Sequence, residues 1–170
     1  ERLANSRILG VAGVPIAGDA IDKEITRAKL FPRFGSVTRY GPSRLRLPQY
    51  IYSTILDWQN IYKLNNEETI NWLAAVMSSA DDPESIRALR SLVQNNYGYP
   101  VVREVELAKK RLSFEPETTI TIQGNNIDIH ERLEQAEFAH IIEYELEKML
   151  DSIEEAEAAA QITSDQIDCV

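Results

Sequence analysis

The stretch Thr-Ile-Thr-Ile-Gln-Gly-Asn-Asn-Ile-Asp-Ile, residues 119–129, decides more of the fold than any other part of this sequence. Polar and apolar residues alternate on both sides of Gly124-Asn125-Asn126, whose residue types are typical of a tight turn. Because side chains of a strand point alternately to opposite faces, the isoleucines fall on one face of such a ladder. The sequence therefore predicts an antiparallel β-hairpin over residues 117–130.

Helical patterns surround this hairpin. Residues 49–113 contain four apolar stripes at helical spacing, and Asp82 followed by Pro83 has the cap and first-position residues of a helix start. Residues 131–161 predict one long acidic helix. Its predicted buried face consists of Phe138, Ile141, Ile142, Leu146, Leu150 and Ile153.

The amino-terminal part has a different pattern. Residues 1–30 predict a strand, a turn and a helix, with the strand over residues 7–13 and the helix opening at Gly18. Residues 31–48 hold three prolines and two glycines, which predicts a loop, and the apolar residues 167–170 predict the start of another strand. The expected fold is a single α+β unit over residues 1–170, mainly helical with a small antiparallel hairpin sheet.

Composition restricts the class of function. The 27 acids exceed the 18 bases, giving a net charge of -9, which argues against general nucleic-acid binding. Residues 23–46 nevertheless hold seven bases and one acid, whereas residues 131–157 hold ten acids and two bases. Such runs are usually solvated surfaces, and a basic loop that meets an acidic partner is the alternative.

The number of cysteines and the length of the apolar runs indicate the environment in which the protein resides. Cys169 is the only cysteine, so no disulfide can form within the chain and a reducing compartment is expected. The longest apolar run, residues 72–77, is far shorter than the roughly 20 residues of a membrane-spanning helix. We therefore expect a cytoplasmic protein that does not enter membranes.

The sequence contains no complete common catalytic motif. His130 and His140 lack the spacing of a zinc site, and Cys169 stands in an apolar context that disfavours a reactive thiolate. The glycines 10, 13 and 18 match neither common phosphate-binding pattern.

One segment offers ligand chemistry. Glu106, Lys109, Lys110 and Ser113, here called the polar cluster, fall on one face of a predicted helix. A carboxylate and an ammonium can bond a ribose diol, a long cationic stem can lie along a purine, and a hydroxyl can reach an exocyclic amine. An ordinary exposed helix face with a Glu–Lys pair is the simpler interpretation.

The segment also resembles a known family. Glu106-x-Ala-Lys-x-x-Leu-Ser113, followed by a hairpin and an acidic helix, resembles the outer part of the second lobe of the ATPase domain of the seventy-kilodalton heat-shock chaperones. Residues 14–22 resemble the family's Leu-Gly-Gly-x-Asp-Phe-Asp segment, with Ala17 in place of the first glycine, and residues 162–170 resemble the stretch before its last glycine pair. Residues 31–98, with their two tryptophans, are closer to the divergent YegD-type relatives.

The resemblance implies an actin-like, ribonuclease-H-like ATPase fold in a larger parent protein that binds ATP or ADP with Mg²⁺. Glu106 and Lys109 would bond the ribose, Ser113 would reach adenine, and Lys110 would lie where the family usually has a stacked Arg. The implied partners are the rest of the ATPase domain and a nucleotide-exchange factor or co-chaperone.

The family's phosphate loops and metal-positioning acids match no residues of this chain. Since phosphoryl transfer depends on clamping the phosphates, we expect the isolated chain neither to bind nucleotide tightly nor to hydrolyse ATP. Two rival interpretations stay open: a helical protein-interaction module that uses its basic loop and has no nucleotide role, and, less favoured by charge, nucleic-acid binding through residues 23–46.

Overall fold

The computed structural model describes residues 7–167. Their contacts divide into two compact units. The larger, here called the core unit, is Asp22–Ile141, and the smaller, here called the terminal unit, comprises residues 7–21 and 142–167 of the described chain.

Seven α-helices and four strands are present in these residues. The helices are α1 Gly18–Ile25, α2 Gln49–Leu56, α3 Glu67–Met77, α4 Pro83–Gln94, α5 Gly98–Arg111, α6 Gln135–Ile141 and α7 Glu143–Ala160. Strands β1 Arg39–Tyr40 and β2 Leu45–Arg46 form one antiparallel pair, and β3 Glu117–Gly124 and β4 Ile127–Glu134 form a second. Shorter helical turns cover Thr26–Leu30, Phe31–Phe34, Trp58–Leu64 and Ser164–Gln166. The predicted α+β class is confirmed.

Helix α4 lies at the centre of the core unit. Its apolar residues Ile86, Leu89, Leu92 and Val93 are all 0% exposed. The Asp82 side chain accepts a hydrogen bond from the Ser85 backbone N–H, and Pro83 occupies the first turn, so the predicted helix start is confirmed. Burial of each large apolar side chain contributes roughly 1.5–3 kcal/mol, so this helix is a principal source of stability.

The β3–β4 hairpin is also confirmed, and it is longer than predicted. Ile122 lies opposite Ile129 in the register, and the buried face of the hairpin continues to Leu133, which is 0% exposed. The turn closes at Asn126, whose φ of 54° is in the left-handed region that asparagine tolerates. The prediction that the following helix begins at residue 131 is wrong, because residues 131–134 continue the alternating pattern of β4.

Residues 31–48, which were predicted to be a loop from their prolines and glycines, contain short regular elements. Residues 31–48 include a 3₁₀ turn, Phe31–Phe34, and the β1–β2 pair. Gly35 follows the turn with a φ of 83°, a conformation that glycine adopts without strain. The first of the four predicted apolar stripes, which covers residues 50–62, is likewise interrupted at Asp57, where α2 has ended.

The long acidic helix is divided, and half of the six residues of its predicted buried face are exposed. Ile142 has φ −102° and ψ 8°, which separates α6 from α7. Ile142 itself is buried, but Leu146, Leu150 and Ile153 are 41%, 59% and 52% exposed. The burial prediction was therefore wrong for α7, because no other part of the described chain covers this stripe.

The strand predicted over residues 7–13 does not form. Residues 7–17 contain no regular element, and Ile8 and Val11 are 80% and 78% exposed. A strand requires a hydrogen-bonded neighbour, and this segment has none among the residues described. The strand predicted for residues 167–170 lies outside the described residues, except Ile167.

Candidate functional site

Helix α5 positions the polar cluster. Its buried residues Val101, Val105 and Ala108 repeat at helical spacing and hold one side of the helix against the core unit, where β3 is a main neighbour. Glu106, Lys109 and Lys110 consequently lie on the other side. The three bases in its last turn, residues 109–111, are also placed favourably for the helix dipole.

Glu106 and Lys110 form an exposed ion pair. Lys110 Nζ lies 2.6 Å from Glu106 Oε1, and the side chains are 45% and 64% exposed for Glu106 and Lys110. The hydrogen bond and charge of Lys110, with smaller contributions from the charges of Lys109 and Arg103, hold the pKa of Glu106 below its ordinary value. Glu106 therefore presents an ionised acceptor at the surface of α5.

Lys109 has a different partner. Its Nζ lies 2.6 Å from Asp22 Oδ1, and the side chains are only 20% and 11% exposed for Lys109 and Asp22. Asp22 is in the middle of α1, where its carbonyl oxygen accepts a hydrogen bond of 2.8 Å from the Thr26 hydroxyl. The ion pair thus connects α1 with α5 inside the core unit.

Ser113 lies beyond the helix. Helix α5 ends at Arg111, two residues earlier than predicted, and Ser113 is exposed in the turn that follows. Its backbone N–H donates to the Lys110 carbonyl oxygen at 3.2 Å. Ser113 therefore stays close in sequence to the other three residues without continuing their helical ridge.

Arg111, the remaining base of this turn, makes three hydrogen bonds within the core unit. Its guanidinium donates to Glu104 Oε1 at 2.8 Å, to the Thr118 hydroxyl at 2.8 Å and to the Thr119 carbonyl at 2.9 Å. These bonds join the end of α5 to β3, and they fix the backbone from which the polar cluster projects.

The Asp22 contact was not predicted from the sequence. Asp22 matched the family pattern, but no local spacing relates it to Lys109, which is 87 residues away. One signal was present: Asp22 stands three residues before Ile25, so a helix that buries Ile25 also draws the carboxylate inward. A buried carboxylate needs a partner, and Lys109 supplies it.

The bases of residues 23–46 are partly neutralised by acids within the core unit. Lys29 binds Glu137 at 2.7 Å, and Arg33 pairs with Glu131. Farther along, Arg44 binds Asp81 at 2.7 Å. Several bases predicted to meet an acidic partner therefore meet acids of this chain.

The histidines show no metal geometry. His130 lies in β4, with Nε2 3.0 Å from Asp128 Oδ1 and Nδ1 3.3 Å from the Thr121 hydroxyl. Within residues 7–167, no three His, Cys, Asp or Glu side chains gather as a metal site.

In the same range, no helix has both the length and the apolar character needed to cross a bilayer.

The polar cluster contains both hydrogen-bond donors and an acceptor. Glu106 offers an acceptor, Lys109 and Lys110 offer ammonium donors, and the Ser113 hydroxyl can donate or accept. No protein-family model and no curated protein sequence matches the chain.

Proposed function

We propose that this chain is part of the nucleotide-binding domain of a heat-shock-type chaperone and forms one side of its adenosine pocket. The observation that carries the proposal is the exposed pair of Glu106 and Lys110 on α5, with Ser113 next to the helix end and Lys109, on the same helix, paired with Asp22. The resemblance of residues 14–22, 106–113 and 162–170, in that order, to segments of one family supports it.

Each side chain has a defined role in this proposal. The ionised Glu106 carboxylate accepts a hydrogen bond from a ribose hydroxyl, and the Lys109 ammonium donates to the ribose. The Ser113 hydroxyl bonds the exocyclic amine of adenine, and the Lys110 stem lies along the base. Lys110 must exchange its contact with Glu106 to do so, and an ammonium lacks the planar stacking surface of a guanidinium.

The remaining chemistry belongs to the rest of the parent ATPase domain. Mg²⁺, when bound there, would neutralise the phosphates of ATP or ADP. The residues of this chain orient the adenosine, and lobe closure would transmit the nucleotide state to a co-chaperone or exchange factor. The proposal assigns the parent to the cytoplasm and expects no ATP hydrolysis by the isolated chain.

The test uses the full-length parent protein. We expect Lys109→Ala and Ser113→Ala each to weaken ADP binding, the former by about tenfold, since a hydrogen bond to a charged group is lost. Lys63→Ala removes an exposed lysine from a different surface and serves as the control. Calorimetric titration with ADP that gives equal affinity for all four proteins would overturn the proposal.

A second function has one observation in its favour. In the β1–β2 pair, Arg39 lies directly opposite Arg46, both are exposed, and neighbouring Leu45 is 54% exposed. Like charges that face each other across a pair of strands are unfavourable, and an acidic protein partner would relieve them. Unchanged ADP affinity in Lys109→Ala, together with salt-sensitive binding of an acidic protein that Arg39→Ala abolishes, would favour this interaction module.

A further inference from the structure

The outer edge of β3 is not paired with another strand among residues 7–167, because β4 is its only partner there. Two backbone groups of this edge bond side chains of α5 instead. The Thr121 N–H donates to Glu104 Oε1 at 3.5 Å, and the Thr119 carbonyl accepts from Arg111 at 2.9 Å. Since backbone groups alternate in direction along an antiparallel strand, the odd-numbered residues of β3 direct theirs away from β4.

The edge is open beyond Thr121. Gln123 has the same orientation as Thr121, so its backbone N–H and C=O point outward, and neither has a partner in the described part of the chain. Unpaired groups of this kind are the template on which an extended chain adds a further strand. Gln123 can therefore donate one main-chain hydrogen bond and accept another.

A groove of about 230 Å³ runs beside this open edge. Residues 121–123 of β3 form one wall. The opposite wall is a face of α5 whose residues repeat at helical spacing: Pro100, Arg103, Glu104 and Leu107. Small-molecule pockets are usually larger, roughly 300–1,000 Å³, so the groove suits a short length of extended chain.

The α5 wall offers apolar surface to such a chain. Leu107 is 37% exposed, and Pro100 is exposed one turn and a half earlier on the helix. Because side chains of a strand alternate between its two faces, every second side chain of an added strand faces this wall. An apolar side chain there would remove the surface of Leu107 from water.

Arg103 gives the groove its charge. Its Nη1 donates to the Tyr99 hydroxyl at 3.4 Å, and no acid among residues 7–167 forms an ion pair with it. Glu104, by contrast, is neutralised by Arg111 at 2.8 Å. The groove is therefore positive overall, and a guanidinium can bond a carboxylate through two parallel hydrogen bonds.

We infer that the groove between α5 and the outer edge of β3 binds an extended acidic segment of a partner protein, which adds as a strand at Gln123 and places a carboxylate on Arg103. An apolar side chain of the same segment covers Leu107. The inference goes beyond the proposed function, because these residues are not part of the polar cluster, and it concerns a different surface from the β1–β2 pair.

The first experiment titrates the 170-residue chain with fluorescein-labelled hexapeptides of alternating Val and Thr that carry one Asp at each inner position in turn. Anisotropy should show saturable binding of at least one of them, which Arg103→Ala weakens about tenfold, since a charge-assisted hydrogen bond is lost. Arg27→Ala, which removes a 45% exposed arginine from another element, is the control. No saturation up to about 1 mM peptide, or equal affinity for wild type and Arg103→Ala, would overturn the inference.

Main-chain pairing has its own readout in amide exchange followed by NMR. The Gln123 N–H should exchange more slowly when the peptide is bound. The Ile122 N–H, which faces β4 opposite Ile129, should not change. An exchange rate at Gln123 that saturating peptide leaves unaltered would contradict strand addition.

Modified peptides test the same pairing without altering the protein. Methylation of alternate backbone nitrogens removes the donors of one peptide edge and leaves those of the other edge intact. Of the two isomers, only one should retain the affinity of the parent peptide. Equal affinity of both isomers would show that the main chain of the peptide is not recognised.

A second copy of the chain is the competing occupant of this edge. Gln123→Pro removes an outward N–H and no bond of the β3–β4 ladder, a position that tolerates proline. Sedimentation equilibrium should give the same mass for wild type and Gln123→Pro. A wild-type dimer that this substitution dissociates would assign the edge to self-association and overturn the inference.

Discussion

The core unit and the terminal unit contain apolar helix faces with similar spacing, yet they bury them to different extents. In α4 of the core unit, Leu89 and Leu92 are 0% exposed. In α7 of the terminal unit, Leu150 and Ile153 are 59% and 52% exposed, and none of its 18 residues is buried. Periodicity therefore identifies which face of a helix is apolar, and tertiary contacts decide whether the face is covered.

The largest expected effect tests this difference with one substitution in two places. We expect Leu89→Ala to lower the free energy of unfolding of the core unit by about 2–5 kcal/mol, because it leaves a cavity among buried side chains. Leu150→Ala is the matched variant on α7 in the terminal unit, and it should change the free energy of unfolding of that unit by less than about 0.5 kcal/mol. Urea denaturation followed by circular dichroism measures both, and equal effects would contradict the contrast.

The next effect concerns the terminal unit alone. A methyl group at Gly10 would lie 2.7 Å from both the Ala156 oxygen and the Ala160 nitrogen, so the α7 backbone would have to move. We expect Gly10→Ala to destabilise this unit by about 1–3 kcal/mol, which faster amide exchange in α7 would reveal.

Gly13→Ala is the control for that variant, because no atom lies within 4 Å of a methyl group at Gly13. Equal exchange in the two variants would show that the close approach at Gly10 does not matter for α7.

Part of the fold could be predicted from the sequence. The alternation of polar and apolar residues predicted the hairpin, and Asp82-Pro83 predicted the start of α4, because both signals are local. The exposure of α7 and the break at Ile142 could not be predicted, because helical spacing carries no information on what packs against a face. The Lys109–Asp22 pair was missed for a related reason: its partners are distant in sequence and meet only when α1 packs near α5.

A smaller effect is expected at Tyr52 in the core unit. Tyr52 is 5% exposed, and its hydroxyl donates to the Phe34 carbonyl at 3.1 Å. We expect Tyr52→Phe to cost about 1 kcal/mol at neutral pH. The control, Tyr50→Phe, alters a side chain that is 55% exposed and should have no effect.

The pH dependence of the same residue follows from its burial. Burial raises the pKa of Tyr52 in the folded state. The unfolded chain therefore ionises first, and stability that is present below about pH 10 is lost as the pH rises further. Urea midpoints at about pH 8 and about pH 10.5 measure this loss. If Tyr52→Phe lost as much stability as wild type over this pH range, the loss would come from other tyrosines.

The smallest effect is expected at Glu106. Its contact with Lys110 holds the pKa of Glu106 below the ordinary value, so the carboxylate stays ionised as the pH falls from about 7 to about 5. The stability that this charge supplies is present above the pKa of the unfolded state and is lost only as the pH falls through the lower, folded value. Glu106→Gln should therefore change the free energy of unfolding by the same small amount at about pH 7 and at about pH 5, because an exposed pair contributes little, and it should weaken ADP binding by the parent.

A Glu106→Gln parent that binds ADP as wild type does would remove Glu106 from the site. Glu84→Gln is the control, since Glu84 is exposed on α4 and pairs with Arg87.

Hydrogen exchange of the full-length parent, measured by mass spectrometry with and without ADP, tests the nucleotide proposal most directly. The account predicts slower exchange on ADP binding in peptides that cover the end of α5 and residues 112–113, and no such change in peptides from α4. Exchange at the end of α5 that is identical with and without ADP, in a parent shown by calorimetry to be saturated, would contradict it.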